Sequence, residues 1–311
     1  MLSTRYICYE RDNHSHQVTK DNTTHNFTLL NGDIKLNIIT HHIEKPTTVL
    51  IHIHGIGSHF QPIFDSMDCI KNRINVLDPS IISYAMELRG HGLSSGTRFS
   101  VNSFDDYISD LHILVEYIKK QHPLLPIFII GHSMGGTIGI IYTIKYKDVI
   151  KGIILLAPMC GIHKEFELSW IKINTMLIIS YIIPSYKLIS ISNDKQYKNY
   201  YEEFSKAKQN CKFQNNEGLR LDITRECYYA INYINENSNL FITPVLAIHS
   251  ISDKITLSES TNAFISLSNS SDKTIITPLL GEHNLLAPMF KNDPKPKELL
   301  ITINQWISKI I

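Results

Sequence analysis

The stretch IFIIGHSMGGT, Ile127 to Thr137, runs four apolar residues straight into Gly131, and then sets a small polar serine, Ser133, between glycines. An unbroken apolar run bounded by glycine reads as a strand covered on both faces. After the serine, Ile138, Ile141, Tyr142 and Lys145 follow at helical spacing. A serine hydroxyl is a weak nucleophile unless a base takes its proton and donors stabilise the oxyanion. On a tight strand-to-helix turn the serine is pushed into a strained backbone conformation, and flanking glycines remove side chains that would collide there. Gly131-x-Ser133-x-Gly135 in this setting predicts a nucleophile held at the carboxyl end of a central strand.

The pattern extends in both directions. Val49–His54 stops at Gly55, Ile81–Met86 stops near Gly90, and Ile153–Ala157, Val245–Ile248 and a weaker Thr274–Thr277 complete a set of strand-like runs. Between two of them Tyr107, Ile108, Leu111, Leu114, Val115 and Ile118 recur at helical spacing, with Ser103 and Asp106 placed as a capping-box-like start. Upstream, Asn31-Gly32 separates two alternating runs, a hairpin signal. Alternating strands and helices predict an α/β fold with a mostly parallel central sheet, helices on both faces and the hairpin as its antiparallel edge. Residues 1–23 read as an N-terminal arm, 24–160 and 243–311 as the core, and 161–242 as an inserted helical cap without clear strand character. A Tyr-, Lys- and Asn-rich tract, Asn193–Asn216, lies in that insertion.

Composition excludes several classes. The 311 residues carry a formal charge of +1, so no basic surplus exists to neutralise nucleic-acid phosphates. The five cysteines, Cys8, Cys69, Cys160, Cys211 and Cys227, form no C-x-x-C pair and argue against a zinc site or disulfide framework. With no signal-peptide pattern, that usage points to a reducing cytoplasm. The longest apolar stretch, Leu168–Ile183, holds Lys172 and Asn174 and stops at Pro184. It falls short of the about 20 apolar residues a membrane span needs.

Further candidates follow the other strands. Beyond Val49–His54, the Ile56 N–H can join that of Met134 as an oxyanion donor, while the His54 ring ties down its own loop. Beyond Val245–Ile248, Asp253 is placed to orient a histidine. Beyond the last strand, Gly281-Glu282-His283 supplies a base and completes the chain order Ser, Asp, His. His132 and His249 are rivals for the base, and Glu165 for the acid.

Taken together, His54-Gly55-Ile56-Gly57, Arg89-Gly90-His91-Gly92-Leu93-Ser94-Ser95-Gly96, Gly131-His132-Ser133-Met134-Gly135-Gly136, Asp253 and Gly281-Glu282-His283 resemble the α/β-hydrolase fold. Within it they resemble the monoglyceride lipase and lysophospholipase-like group, often catalogued with the serine aminopeptidase-type hydrolases. The resemblance runs from about Thr24 to the C-terminus. It implies Ser133 as nucleophile, Asp253 as acid, His283 as base, Ile56 and Met134 as oxyanion donors, a cap over an acyl tunnel, and neither cofactor nor metal. Glu87 stands where related enzymes often carry Asp, which bears on support of the loop more than on chemistry. The cap matches no motif.

The expected activity is hydrolysis of single-chain lipid esters, monoacylglycerol or lysophospholipid, through an acyl-enzyme. Two alternatives are an aminopeptidase-like or small-ester hydrolase, and a non-catalytic ligand-binding scaffold. The first would need a site for a free amine, and the cap shows no clear acidic cluster; the second usually lacks a triad member. Trp170, Ile171, Met176, Leu177, Ile178, Ile179, Tyr181, Ile182 and Ile183 crowd one cap segment. They point either to the cap's contact with the core below or to a helix with one face lining the acyl tunnel and another touching a lipid surface, a peripheral contact with a membrane. The oligomeric state is not encoded in any of these features.

Overall fold

The computed structural model describes residues 9–10, 24–61, 69–163, 169–189, 199–215, 218–279 and 281–311. Its main sheet is built from β1 (Tyr9–Glu10), β2 (Thr24–Asn31), β3 (Ile34–His41), β4 (Thr48–Ile53), β5 (Ile81–Met86), β6 (Ile127–His132), β7 (Gly152–Leu156), β10 (Val245–Ile248) and β11 (Lys273–Ile276). The spatial order is β1-β2-β3-β5-β4-β6-β7-β10-β11. The pairs from β5 to β11 are parallel, and those from β1 through β3 to β5 are antiparallel. The Asn31-Gly32 turn closes the β2–β3 hairpin, with Gly32 at a φ of 59°.

The central strands are buried on both faces, and their alternation divides the core in two. Val49, Ile51, Ile53, Ile127, Ile129, Ile153 and Leu155 point to the side of α2 (Asp105–Gln121), α3 (Met134–Lys145) and α7 (Ser258–Leu267). Leu50, Phe128, Ile130, Ile154, Leu156, Leu246 and Ile248 point to the side of α8 (Lys295–Ile310), where Leu300, Ile303, Trp306 and Ile307 meet them. On that face, α1 (Ile70–Ile74) packs Ile70 and Ile74 against Ile39 and Ala85. At about 1.5–3 kcal/mol for each fully buried aliphatic side chain, these two layers supply the main stabilisation of the sheet.

Chain order reverses at β4: β5 lies on one side of it and β6 on the other. Such a switch point opens a crevice beyond the carboxyl ends of the strands. The register keeps those ends level, with Ile53 opposite Gly131, His132 opposite Leu156, Leu156 opposite Ile248, and Ile248 opposite Ile276. Every loop on which the sequence put a candidate residue therefore leaves the sheet along one line.

Between β7 and β10 the chain forms α4 (Trp170–Ile182), α5 (Glu202–Gln209) and α6 (Leu221–Glu236). The sequence reading expected no strand there. The structure differs: β8 (Lys187–Ile189) and β9 (Leu219–Arg220) pair as a short antiparallel ribbon. Strands this short carry no periodic signal, and their partners are brought together by the fold.

Candidate active site

Ser133 sits between β6 and α3 with φ 54° and ψ −121°, a region in which a non-glycine residue is strained. The surroundings hold it there. Its N–H donates to the Leu156 carbonyl at 3.0 Å, and its carbonyl accepts from Gly136 at 2.9 Å and Met159 at 3.1 Å. The turn also demands close backbone approach. A Cβ on Gly135 would lie 2.4 Å from the Ile53 carbonyl oxygen, and one on Gly55 would lie 3.0 Å from the Ser133 Cβ.

The candidate acid and base meet in the structure. Asp253 Oδ2 lies 2.8 Å from His283 Nδ1. The Asp253 side chain is fully buried, while His283 retains partial access to solvent. Burial opposes the charge on Asp253, yet its carboxyl is held well below the ordinary carboxylate range by His283, by hydrogen bonds from His249 and His283, and by the Ile255 N–H. Ile255 and Thr256 donate backbone N–H groups to Oδ1 at 2.7 and 3.2 Å. Thr256 Oγ1 donates to Oδ2 at 2.9 Å.

His249, a rival for the base, lies on the other side of this carboxylate. Its Nε2 is 3.1 Å from Asp253 Oδ2, and its Nδ1 is 2.8 Å from Thr261 Oγ1 on α7. It is fully buried and hydrogen-bonds the candidate acid's carboxylate. Sequence reasoning missed this part for His249, and missed Thr256 altogether. The only signal was the i, i+4 spacing of His249 and Asp253. His132 Nε2 meets the His283 carbonyl at 3.1 Å, so it holds the base's loop. Glu165, the rival acid, lies outside the described residues.

The oxyanion candidates lie on two of these loops, Ile56 after β4 and Met134 after β6. Met134 is the first residue of α3, where a helix leaves its N–H groups unpaired and the helix dipole favours negative charge. Among the described residues neither the Ile56 N–H nor the Met134 N–H donates to any group. Ser133 Oγ makes no hydrogen bond to His283 among the described residues; such catalytic bonds commonly close only with substrate in place. Glu87 supports the neighbouring loops: its carboxylate accepts from the Phe60 and Leu93 N–H groups at 3.1 and 2.6 Å and from Asn37 Nδ2 at 3.0 Å.

Residues of the segment between β7 and β10 reach these loops at four described contacts. Asn215 donates its N–H to the Gly57 carbonyl at 2.9 Å. Tyr200 Oη accepts from the Asn284 N–H at 2.8 Å, and Asn199 Nδ2 donates to Glu282 at 2.8 Å, so both neighbours of His283 are tied to it. Cys227 of α6 lies 3.9 Å, sulfur to sulfur, from Met134.

Comparison with known proteins agrees with this architecture. The model of a family described as "Serine aminopeptidase, S33" matches residues 44–288. The monoglyceride lipase of Rattus norvegicus is 25% identical over 270 residues, covering 85% of this chain and 83% of that protein. A monoacylglycerol lipase from Paleococcus ferrophilus superposes with a TM-score of 0.71 at 18% identity, covering 90% of this chain and all of that one. A soluble variant of the monoglyceride lipase from Saccharomyces cerevisiae, in complex with a substrate analogue, gives 0.73 at 19% identity, covering 91% of this chain and 94% of that one. The chain is thus an α/β-hydrolase of the serine aminopeptidase S33 family, distantly related to the monoglyceride lipases.

Proposed function

We propose that the protein hydrolyses carboxylic esters of single-chain lipids, monoacylglycerols or lysophospholipids, with Ser133, His283 and Asp253 as its catalytic triad. Ser133 Oγ attacks the ester carbonyl carbon while His283 Nε2 takes its proton. The Ile56 and Met134 N–H groups receive the tetrahedral oxyanion. His283 then returns the proton to the departing alkoxide, leaving an acyl group on Ser133. Water attacks that acyl group with His283 again as base, and the fatty acid leaves. Asp253 holds the imidazole in the tautomer that keeps the Nε2 lone pair toward Ser133. The observation that carries this reading is the 2.8 Å contact between Asp253 and His283, on the same line of strand ends as the strained Ser133.

The lipid part of the reading rests on the monoglyceride lipase relatives and on the segment 161–242, which we read as a cap that shapes an acyl site. Its α4 helix buries only Met176 and Ser180, while Trp170, Ile171 and Ile182 are 77%, 70% and 73% exposed. A row of aliphatic side chains with aromatic residues at its ends suits contact with a lipid surface, from which substrate enters. No helix among the described residues is long and apolar enough to cross a membrane.

The test is a panel of monoacylglycerols, lysophospholipids, short p-nitrophenyl esters and aminoacyl amides. The proposal expects the highest kcat/KM on one of the two lipid classes. Faster cleavage of aminoacyl amides would instead assign a peptidase, and preference for short esters a small-ester hydrolase.

A further inference from the structure

Two buried histidines outside the triad hold the loop after β4 in a reciprocal arrangement. His54 belongs to that loop and reaches out of it: its Nε2 lies 3.1 Å from the Leu88 N, in the loop after β5. His91 belongs to the loop after β5 and reaches back: its Nε2 lies 3.0 Å from the Gly57 N. The two rings are 5.2 Å apart between centroids.

Their partners decide the tautomers. Each Nε2 accepts a backbone N–H, so it must present a lone pair. Each Nδ1 faces a carbonyl, Gly55 at 2.8 Å for His54 and Arg89 at 2.9 Å for His91, so it must carry the proton. Both rings are therefore neutral, in keeping with burial, which holds His54 well below the usual histidine value and brings His91 down to about 4.

The consequence lies at Ile56. The C=O and N–H of a trans peptide are rigidly opposed in one plane. The Gly55 carbonyl and the Ile56 N–H share a peptide unit, so the His54 bond to Gly55, together with the Ser58 N–H at 3.2 Å on the same carbonyl, sets the direction of the Ile56 N–H. The next unit, Ile56 to Gly57, is held through its N–H by His91 and, one carbonyl further, by Asn215 on Gly57. Both peptide planes that flank Ile56 are thus pinned by imidazoles. Arg89, whose carbonyl anchors His91, is itself fixed by two contacts to the buried Asp110, at 2.6 and 2.7 Å.

We propose that His54 and His91 are positioning residues of the reaction, a pair of neutral imidazoles that aim the Ile56 N–H at the developing oxyanion. This rests on the reading of Ser133 as nucleophile and Ile56 as oxyanion donor. Neither ring touches substrate; both act through the backbone.

The test uses two variants of His91 in the full-length chain. In His91→Asn the amide nitrogen can keep the contact to the Arg89 carbonyl, but the side chain is too short to accept from Gly57. In His91→Gln the amide oxygen reaches the place of Nε2. Loss of one oxyanion donor costs roughly 10²–10³ in kcat, so a misaimed one should cost about 10–100-fold. The asparagine variant should show that loss with KM nearly unchanged, and a trifluoromethyl ketone, which forms an oxyanion on the serine, should bind weaker by a similar factor. The glutamine variant should recover most of the rate and most of the ketone affinity. An asparagine variant as active as wild type overturns the proposal. So do equal losses in both variants, because then the loop needs the ring's bulk and not its acceptor. Wild-type protein that a fluorophosphonate does not label at Ser133 overturns the reading of the site itself, and the role of the pair with it.

Discussion

His132 Nε2 donates to the main-chain carbonyl of His283 at 3.1 Å, and the two imidazoles stand 4.8 Å apart between centroids. The residue before the candidate nucleophile thus holds the loop of the candidate base. Ser133 comes from the end of β6 and His283 from the segment after β11, so their separation depends on contacts between loops far apart in sequence. The His132 bond is one such contact, and the Tyr200 and Asn199 bonds to the neighbours of His283 are others.

Removing the first of these should loosen the base without removing it. His132→Ala should lower kcat on a soluble ester by about tenfold, within the range by which slight misplacement of a catalytic group slows a reaction, while KM changes little. Steady-state kinetics on one p-nitrophenyl ester measures this. An unchanged kcat would mean that the other contacts alone hold His283.

Much of this site is legible in the chain. The strands are β-branched runs ended by glycine, and each candidate residue follows one of them, so Ser133, Asp253 and His283 can be picked out by order and context. Other features depend on what meets what across the sheet. His249 sits four residues before Asp253, but its ring is held from the far side by Thr261 of α7 at its other nitrogen, which no local pattern announces. The arrangement of His54 and His91 needs the loops after β4 and β5 to lie side by side, which follows from strand order and not from any local pattern. Periodicity shows that α4 is apolar nearly all round but cannot say how much of it the core covers.

Buried neutral histidines make stability fall with acid. His91 takes a proton at about 4 in the folded chain, where burial and the nearby Arg98 oppose its charge and His54 faces it, against an ordinary 6.5 when unfolded. Its depressed folded value means that it contributes stability fully above 6.5, lost as pH falls toward 4. At 1.36 kcal/mol per pH unit, the loss by pH 5 is about 2 kcal/mol from this residue. Denaturant unfolding of wild type and His91→Gln at pH 7 and pH 5 should show a smaller acid loss in the variant. Identical losses in both would show that His91 is not held neutral by the fold.

The exposed face of α4 gives a separate expectation. Ile178→Ser with Ile182→Ser should reduce co-sedimentation with liposomes severalfold, since each apolar side chain withdrawn from water contributes about 1.5–3 kcal/mol. Hydrolysis of a water-soluble ester should be unaffected. Equal sedimentation of both proteins, or none by wild type, would remove the lipid-surface role of this helix.

The central claim is that Ser133 is the nucleophile, and covalent labelling tests it most directly. A fluorophosphonate probe followed by peptide mapping should place the adduct on Ser133. Ser133→Ala should abolish the label and lower ester hydrolysis by on the order of 10⁴-fold or more, with its thermal unfolding close to wild type. Labelling at another residue, or Ser133→Ala protein that still hydrolyses esters at the wild-type rate, would contradict the account.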